Sequence, residues 1–408
     1  MSMTRRTLIQ SVAALVPGFG SVELEEVPGF APPGTIEIAG LSAGEFDPWQ
    51  WRRGETYWVS DVRQPFIAAR RGGVAHNIYA PYVLCEPDFW RVYYGGWDGA
   101  LGDRVYGLTT KDFIDFTDRE LLIDRGWTPN INDPNVQRTE DGVYHMITII
   151  NGVVNAAEGC GICYFSSRDG HSWNGALPYT VQRTDQVVFE NYDAALDADN
   201  DSTAVLFNHH GRLVLYYMNF RGPDDNLLMR AEAVKPPVFR FTHKISPSGR
   251  RIQDLRCFVV DGREWYLTLY TWDINQIVYS ISTDETIFSI PSLIPLYKPE
   301  ASYLSWAVTP TLVVRGNSVP GMWFGGGELA RNHVYARWLQ KKLEFVTSGG
   351  YPLETLGALG PDRIRLALPG TSPVTGEMRV YDDDGFRLLR HSTGVELRAG
   401  RIYRLVWG

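Results

Sequence analysis

Cysteine is scarce: four residues in a chain of 408. So few bound little, and the redox compartment stays open. Cys85 and Cys257 stand alone among strand-forming residues and read as small buried hydrophobes. Cys160-Gly-Ile-Cys163 has no second pair, and on an extended strand positions three apart face opposite ways, so zinc would need a tight turn there. Long apolar runs are also missing, and no membrane-spanning segment is expected. The net charge is −8 with a pI near 5.6 and no basic stripe, which argues against a nucleic-acid partner. No G-x-S-x-G, Walker loop, dinucleotide fingerprint or H-E-x-x-H occurs, so those enzyme classes lose their usual support. Asp197, Asp199 and Asp201 resemble the start of a calcium loop. An EF-hand would want Gly at Ser202 and Glu at Asn208, so structural calcium is the weaker reading and no cofactor or metal site is expected. Beyond the first twenty residues no window holds helical periodicity.

What the chain has instead is aromatic strand. Aromatics make up 13% of it, and they recur in a pattern. Thr109-Thr110-Lys111-Asp112, Ser166-Ser167-Arg168-Asp169 and Ser282-Thr283-Asp284 each follow a short strand and precede an aromatic four residues after the Asp (Phe116, Trp173, Phe288). Asn77-Ile-Tyr-Ala-Pro81 and Asn130-Ile-Asn-Asp-Pro134 align about 53 residues apart. Looser copies begin near Ala204, Cys257 and Pro310. This gives five units between roughly residues 76 and 347. Strands of four to seven residues rich in Val, Tyr, Phe and Trp, broken by Gly, Asp and Asn, make each unit a four-stranded meander. Such units build radial propellers. The fold class expected is all-β, a five-bladed β-propeller.

Three regions follow. Residues 1–34 read as an N-terminal helix and Pro-rich linker; Arg5-Arg6 before a short apolar stretch suits either a twin-arginine export signal or a docking helix. Residues 35–347 form the propeller, with early strands closing the ring. Residues 348–408 alternate strongly and read as a small antiparallel addition, with an Arg-bearing face that suits docking. An extracellular, periplasmic or virion-surface location fits these termini, and so does attachment to a larger protein assembly.

In a propeller the first strand of each blade runs beside the axis, so equivalent positions meet. The units align Ala80, Asp133, Ser202, Asp254 and Thr309 there. The ends of the second strands add Trp97-Asp98, Asn151, Asn219 to Arg221, Trp272-Asp273 and Gly327-Glu328. Carboxylates beside Trp97, Trp272 and Trp306 suit a sugar: acids for its hydroxyls and acetal oxygen, indole faces for its C–H surface. The expected carbohydrate-binding residues are Tyr79, Trp97, Asp98, Arg221, Trp272, Asp273, Trp306 and Glu328. Asp at strand ends also caps turns, which is the plainer explanation for any one of them.

Asn132-Asp133-Pro134-Asn135-Val136 resembles the inner-strand Asp-Pro motif of the five-bladed glycosidases (arabinanases, xylosidases, invertases, levansucrases), and Tyr79-Ala80-Pro81-Tyr82-Val83 is similar to the arabinanase Trp-Ala-Pro-Asp segment. The resemblance covers about 270 residues as architecture, on short motifs. It implies a glycoside hydrolase with three carboxylates, acting on a furanoside-containing or related polysaccharide. Asp133 matches the acid that orients substrate, Asp47 or Asp254 the base, and Asp201 or Glu190 the acid. Asp47 in Phe46-Asp47-Pro48 lies close to the next unit for a full blade, and Trp49-Gln50-Trp51 departs from the family pattern. The rival reading is a non-catalytic carbohydrate-binding or structural propeller of a larger assembly.

Overall fold

The computed structural model describes residues 22–70, 76–98, 101–151, 161–190, 201–220, 226–245, 251–272, 276–286, 292–293, 306–328, 331–370, 373–381 and 388–407. The expected N-terminal helix lies outside them. Among the described residues no helix is long and apolar enough to cross a membrane. The chain forms two compact units, residues 44–54 with 58–339, and residues 1–43, 55–57 and 340–408.

Among the described residues the larger unit is almost entirely strand, in five sheets. Sheet I is built from His76–Cys85, Trp90–Asp98, Arg104–Thr110 and Glu120–Asp124, with Tyr179–Thr180 added in parallel at its outer edge. Sheet II contains Asn130–Arg138, Tyr144–Asn151 and Gly161–Ser167. Sheet III contains Asp201–His209, Arg212–Phe220, Asn226–Lys235 and Val238–Ile245, edged by the parallel Val188–Glu190. Sheet IV runs Arg251–Val260, Arg263–Trp272, Gln276–Ser282 and Ser292–Leu293. Sheet V runs Trp306–Arg315, Ser318–Glu328 and Arg331–Leu339, and its outer strand, Trp58–Ser60, comes from far earlier in the chain.

Residue alternation explains the stacking. In the second strand of sheet III, Leu213, Leu215 and Tyr217 pack with Ile147, Ile149 and Ile162 of sheet II. The intervening Val214, Tyr216 and Met218 pack with Ile252, Leu255 and Tyr270 of sheet IV. Side chains alternate across a strand, so a strand apolar at every position is covered on both faces. Sheets I and II share a similar core around Tyr93, Ile123, Met146 and Phe165.

The recurring turn has one chemistry. Asp112 Oδ1 accepts the amides of Ile114 and Asp115, and Asp169 Oδ1 those of His171 and Ser172, while Thr110 and Ser167 cap the amides of Phe113 and Gly170. Burial works against the charge on both acids, but these amides outweigh it and hold both below the usual carboxylate range. Asp284 repeats the bond to Thr286 N.

The smaller unit corrects the expected boundaries. The linker expected over 22–34 contains the strand Val22–Val27, paired with Ile402–Trp407. Thr35–Ala39, expected in the ring, pairs instead with Arg363–Ala367 and with the C-terminal strand. Its Ile36 and Ile38 are fully buried with Phe345, Met378 and Tyr403, and that apolar face fixes the placement. A second sheet joins Leu343–Thr347, Val374–Tyr381 and Leu388–Leu397. The Arg face read as a docking surface is partly occupied: Arg363 and Arg365 clamp the buried Glu37 at 3.0 and 2.7 Å.

Candidate functional site

The first strands of the five sheets share a bulge. Register shifts fall at Tyr79/Tyr82, Asn132/Asn135, Ser202/Ala204, Ile252/Asp254 and Val308/Thr311. The extra residue takes a left-handed conformation in four of them: Ala80 (φ 49°), Asp133 (50°), Thr203 (47°) and Thr309 (52°). The equivalent set is therefore Ala80, Asp133, Thr203, Gln253 and Thr309, one residue away from the expected Ser202 and Asp254. Bulges re-aim a side chain without breaking the sheet. The first strands lie against one another in the order I, II, III, IV, V and back to I. Ala80 N donates to Thr309 Oγ1 at 2.9 Å between I and V, and Leu206 N donates to Asn135 Oδ1 at 3.1 Å between II and III.

At the bulges Ala80, Asp133, Ala204, Gln253 and Thr309, one from each sheet, enclose a cavity of about 10 Å³. That is room for one water and no more. Beyond it the centre is filled: Gln137 donates to the Tyr82 hydroxyl at 2.9 Å, and the Arg256 guanidinium lies 4.7 Å from the centre of the Tyr82 ring. The side toward the second-strand ends is where polar side chains gather.

On that side sits a carboxyl cluster. Asp103, where the chain enters the third strand of sheet I, is buried. Its Oδ2 accepts from the Tyr79 hydroxyl at 2.5 Å and from Asn132 Nδ2 at 2.8 Å, and Asn132 Nδ2 also lies 2.6 Å from the Tyr79 oxygen. Asp103 Oδ1 and Asp133 Oδ1 are enclosed without a hydrogen-bond partner. Burial pushes the Asp133 carboxyl up to about 7; the neighbouring Asp103 adds to the rise and the Arg251 guanidinium opposes it. Burial also raises Asp103, against the bonds from Tyr79 and Asn132. Glycine makes the close approach of sheets I and II possible: a Cβ on Gly95 would lie 3.0 Å from Asn132 Cβ and 3.2 Å from Asp133 N. Gly325 gives Tyr79 the same clearance on its other side.

The other expected acids are not brought to this cluster. Asp47 caps the helix α1 (Pro48–Arg53), with Oδ1 accepting Trp49 N at 2.8 Å. The neighbouring Phe46 bonds the hairpin at Asn317, about 20 Å along the strand from the Thr309 bulge. Glu190 lies on the outermost strand of sheet III, paired with Arg240. Asp254 is fully buried and staples sheet IV to sheet V: Leu312 N donates to it at 2.8 Å and Arg256 pairs with it at 3.0 Å. Asp201 opens the first strand of sheet III opposite Asn219, at the same end as the cluster; its side chain lies outside the described residues. Among the expected sugar contacts, Asp98 is buried and occupied by Arg119, Tyr94 and the Arg70 amide, so it serves the fold. Tyr79 is committed to Asp103 rather than to stacking. Trp97 is half-buried opposite Asn77. Trp272 and Glu328 stand at the strand ends expected for them and Trp306 opens the first strand of sheet V, but the side chains of all three are outside the described residues, as are Arg221, Asp273 and the acidic loop to Asn200. Cys163 is in the core of sheets I and II, and Cys160 lies outside the described residues.

Sequence reading missed Asp103 altogether. Its only signal was position: Gly102-Asp103 follows the end of a second strand, where the other candidates were sought.

No family model and no curated protein matches this chain. Solved structures do. The BT0996 complex with RGII is similar over 71% of this chain and 93% of its own, at 13% identity and a TM-score of 0.50. A putative glycosidase from Bacteroides thetaiotaomicron (14% identity, 72% and 99% covered, TM-score 0.48) and the GH43 endo-arabinanase from Bacillus licheniformis (12%, 70% and 99%, 0.45) are also similar. The chain resembles the propeller glycosidases. At these identities the likeness is one of fold, and the chemistry has to come from the residues themselves.

Proposed function

We propose that the larger unit is a five-bladed, glycoside hydrolase-like propeller that binds carbohydrate above Asp133. The observation that carries this reading is the Asp133–Asp103 pair. Where five sheets converge, burial and the charge of Asp103 push the Asp133 carboxyl up to about 7, and its Oδ1 has no hydrogen-bond partner. Glycoside cleavage needs an acid that keeps its proton at the working pH and a second carboxyl nearby. Asp133 suits the protonated role, its proton kept by enclosure and by Asp103. Asp103, fixed by Tyr79 and Asn132, positions the pair. Asp201 is the candidate for the further carboxylate, because its strand begins on the same side.

A second reading, carbohydrate binding without cleavage, is favoured by one specific observation. Asp47, Glu190 and Asp254 are all engaged in structural bonds, which leaves the three-acid set of the family incomplete among the described side chains.

Reducing-sugar release from a glycan panel that includes furanoside polymers, measured on wild type and on Asp133→Asn and Asp103→Asn, tests the first reading. Calorimetric binding to the same panel separates the two. Turnover lost by a factor of about a thousand or more in Asp133→Asn with binding kept supports cleavage. Binding without turnover in the wild type supports the second reading. Binding to no glycan overturns both.

A further inference from the structure

A second polar cluster lies at the opposite end of sheets III and IV, where the first strands finish. The sheet III hairpin turns through His210-Gly211 (φ 49° and 82°), and the sheet IV hairpin through Asp261-Gly262 (51° and 74°). Paired left-handed residues make the tight hairpin whose twist matches its strands. From the Thr203 bulge to His209 is six residues, about 20 Å of strand, so this cluster is separate from Asp133. Glu264 of the second strand of sheet IV and Glu285, just past its third, face His209 and His210 across the sheet boundary.

The grouping of donor atoms is what points to a ligand. His209 Nδ1 lies 3.0 Å from the Glu285 carboxylate, which is itself held by Arg230 at 2.9 Å and by the Tyr216 hydroxyl at 3.2 Å. Glu285 thus flanks the Nδ1 edge of the ring without the geometry of a hydrogen bond. On the other edge His209 Nε2 lies 3.2 Å from the Tyr266 hydroxyl and 3.9 Å from Glu264 Oε2, and His210 Nε2 lies 2.8 Å from Glu264 Oε1. The Tyr266 hydroxyl donates to Glu264 Oε2 at 2.7 Å and fixes that carboxylate in turn. One donor atom from each of His209, His210 and Glu264 lies within 4.8 Å of the others. In a tetrahedral zinc site with bonds of about 2.0–2.1 Å, ligand atoms stand about 3.3 Å apart, so small side-chain shifts would close this set around an ion.

We propose that His209, His210 and Glu264 bind one zinc ion, with the fourth position open to water. Two imidazoles and a carboxylate match zinc, whereas calcium and magnesium favour all-oxygen sets. The ion would tie sheet III to sheet IV through side chains at a solvent-reached edge.

The test uses the full, untagged chain after chelation, titrated with Zn²⁺ alone by calorimetry and by competition with a chromophoric chelator. Expected are one ion per chain, a rise in melting temperature on adding Zn²⁺, and binding weakened at least tenfold in His210→Ala and in Glu264→Gln. His210 is 68% exposed, so its variant leaves the core intact and keeps the test open should Glu264→Gln fold poorly. Absence of saturable binding in the wild type overturns the proposal, as does His210→Ala binding Zn²⁺ like the wild type.

Discussion

Asp133→Asn should make the protein more stable, and only at the higher pH. In the folded chain the Asp133 carboxyl titrates at about 7, whereas an unfolded aspartate titrates near 3.9. Between those values the folded state holds a proton that the unfolded state has released. Stability must therefore fall as pH rises through that window. A rise of about three units at about 1.4 kcal/mol each amounts to about 4 kcal/mol lost between pH 4 and pH 8. Asparagine is uncharged, nearly the same size, and accepts the left-handed conformation that Asp133 holds. The variant should match the wild type near pH 4 and exceed it by about 4 kcal/mol at pH 8. Urea unfolding followed by tryptophan fluorescence, repeated from pH 4 to pH 8, reads the difference directly. Parallel profiles for the two proteins would refute the reasoning, because they would place the carboxyl in contact with water or with an unnoticed donor.

Three further outcomes follow from the packing. Asp254→Ala leaves the Arg256 charge buried and the Leu312 amide without its acceptor, so unfolding should show a loss of about 3–5 kcal/mol, much of it regained on adding Arg256→Met. Gly325→Ala sets a Cβ 2.6 Å from Tyr79 Cβ; a loss of about 1–3 kcal/mol is expected, together with weaker glycan binding or turnover as Tyr79 is pushed off Asp103. Glu37→Ala strands Arg363 and Arg365 in the smaller unit, and melting should show a loss of about 1–3 kcal/mol with the glycan assay unchanged.

The sheets were legible because their signals are local. The Thr/Ser-x-Asp turns follow from side-chain oxygens capping amides two or three residues on, a rule that acts within six residues. The second-strand ends were found correctly for the same reason. The smaller unit was misread because pairing is not local. Thr35–Ala39 has the composition of a blade strand, and only its partners more than 320 residues later, together with the apolar face of Ile36 and Ile38, decide where it goes. Among the acids, position along a strand was legible but direction was not. Asp254 sits one residue beyond the bulge at Gln253, and that single step points it between sheets instead of at the centre.

The same step explains why alignment of the repeats could find one carboxyl of the pair and not the other. A bulge recurs in every first strand regardless of which residue occupies it, so it is a property of the architecture. Four of the five bulged positions carry Ala, Thr, Gln and Thr, and only Asp133 is charged. A lone acid at a converging centre keeps its proton through burial, and a neighbour of like charge raises it further. That neighbour cannot come from an equivalent position of another sheet, because those are neutral. It comes from Asp103, carried by the approach to the third strand of sheet I and held there by Tyr79, the residue before the Ala80 bulge, and Asn132, the residue before Asp133. The repeat thus supplies the meeting point, and a break in the repeat supplies the chemistry. If Asp103→Asn left the Asp133-dependent pH profile unchanged, this division of roles would be wrong.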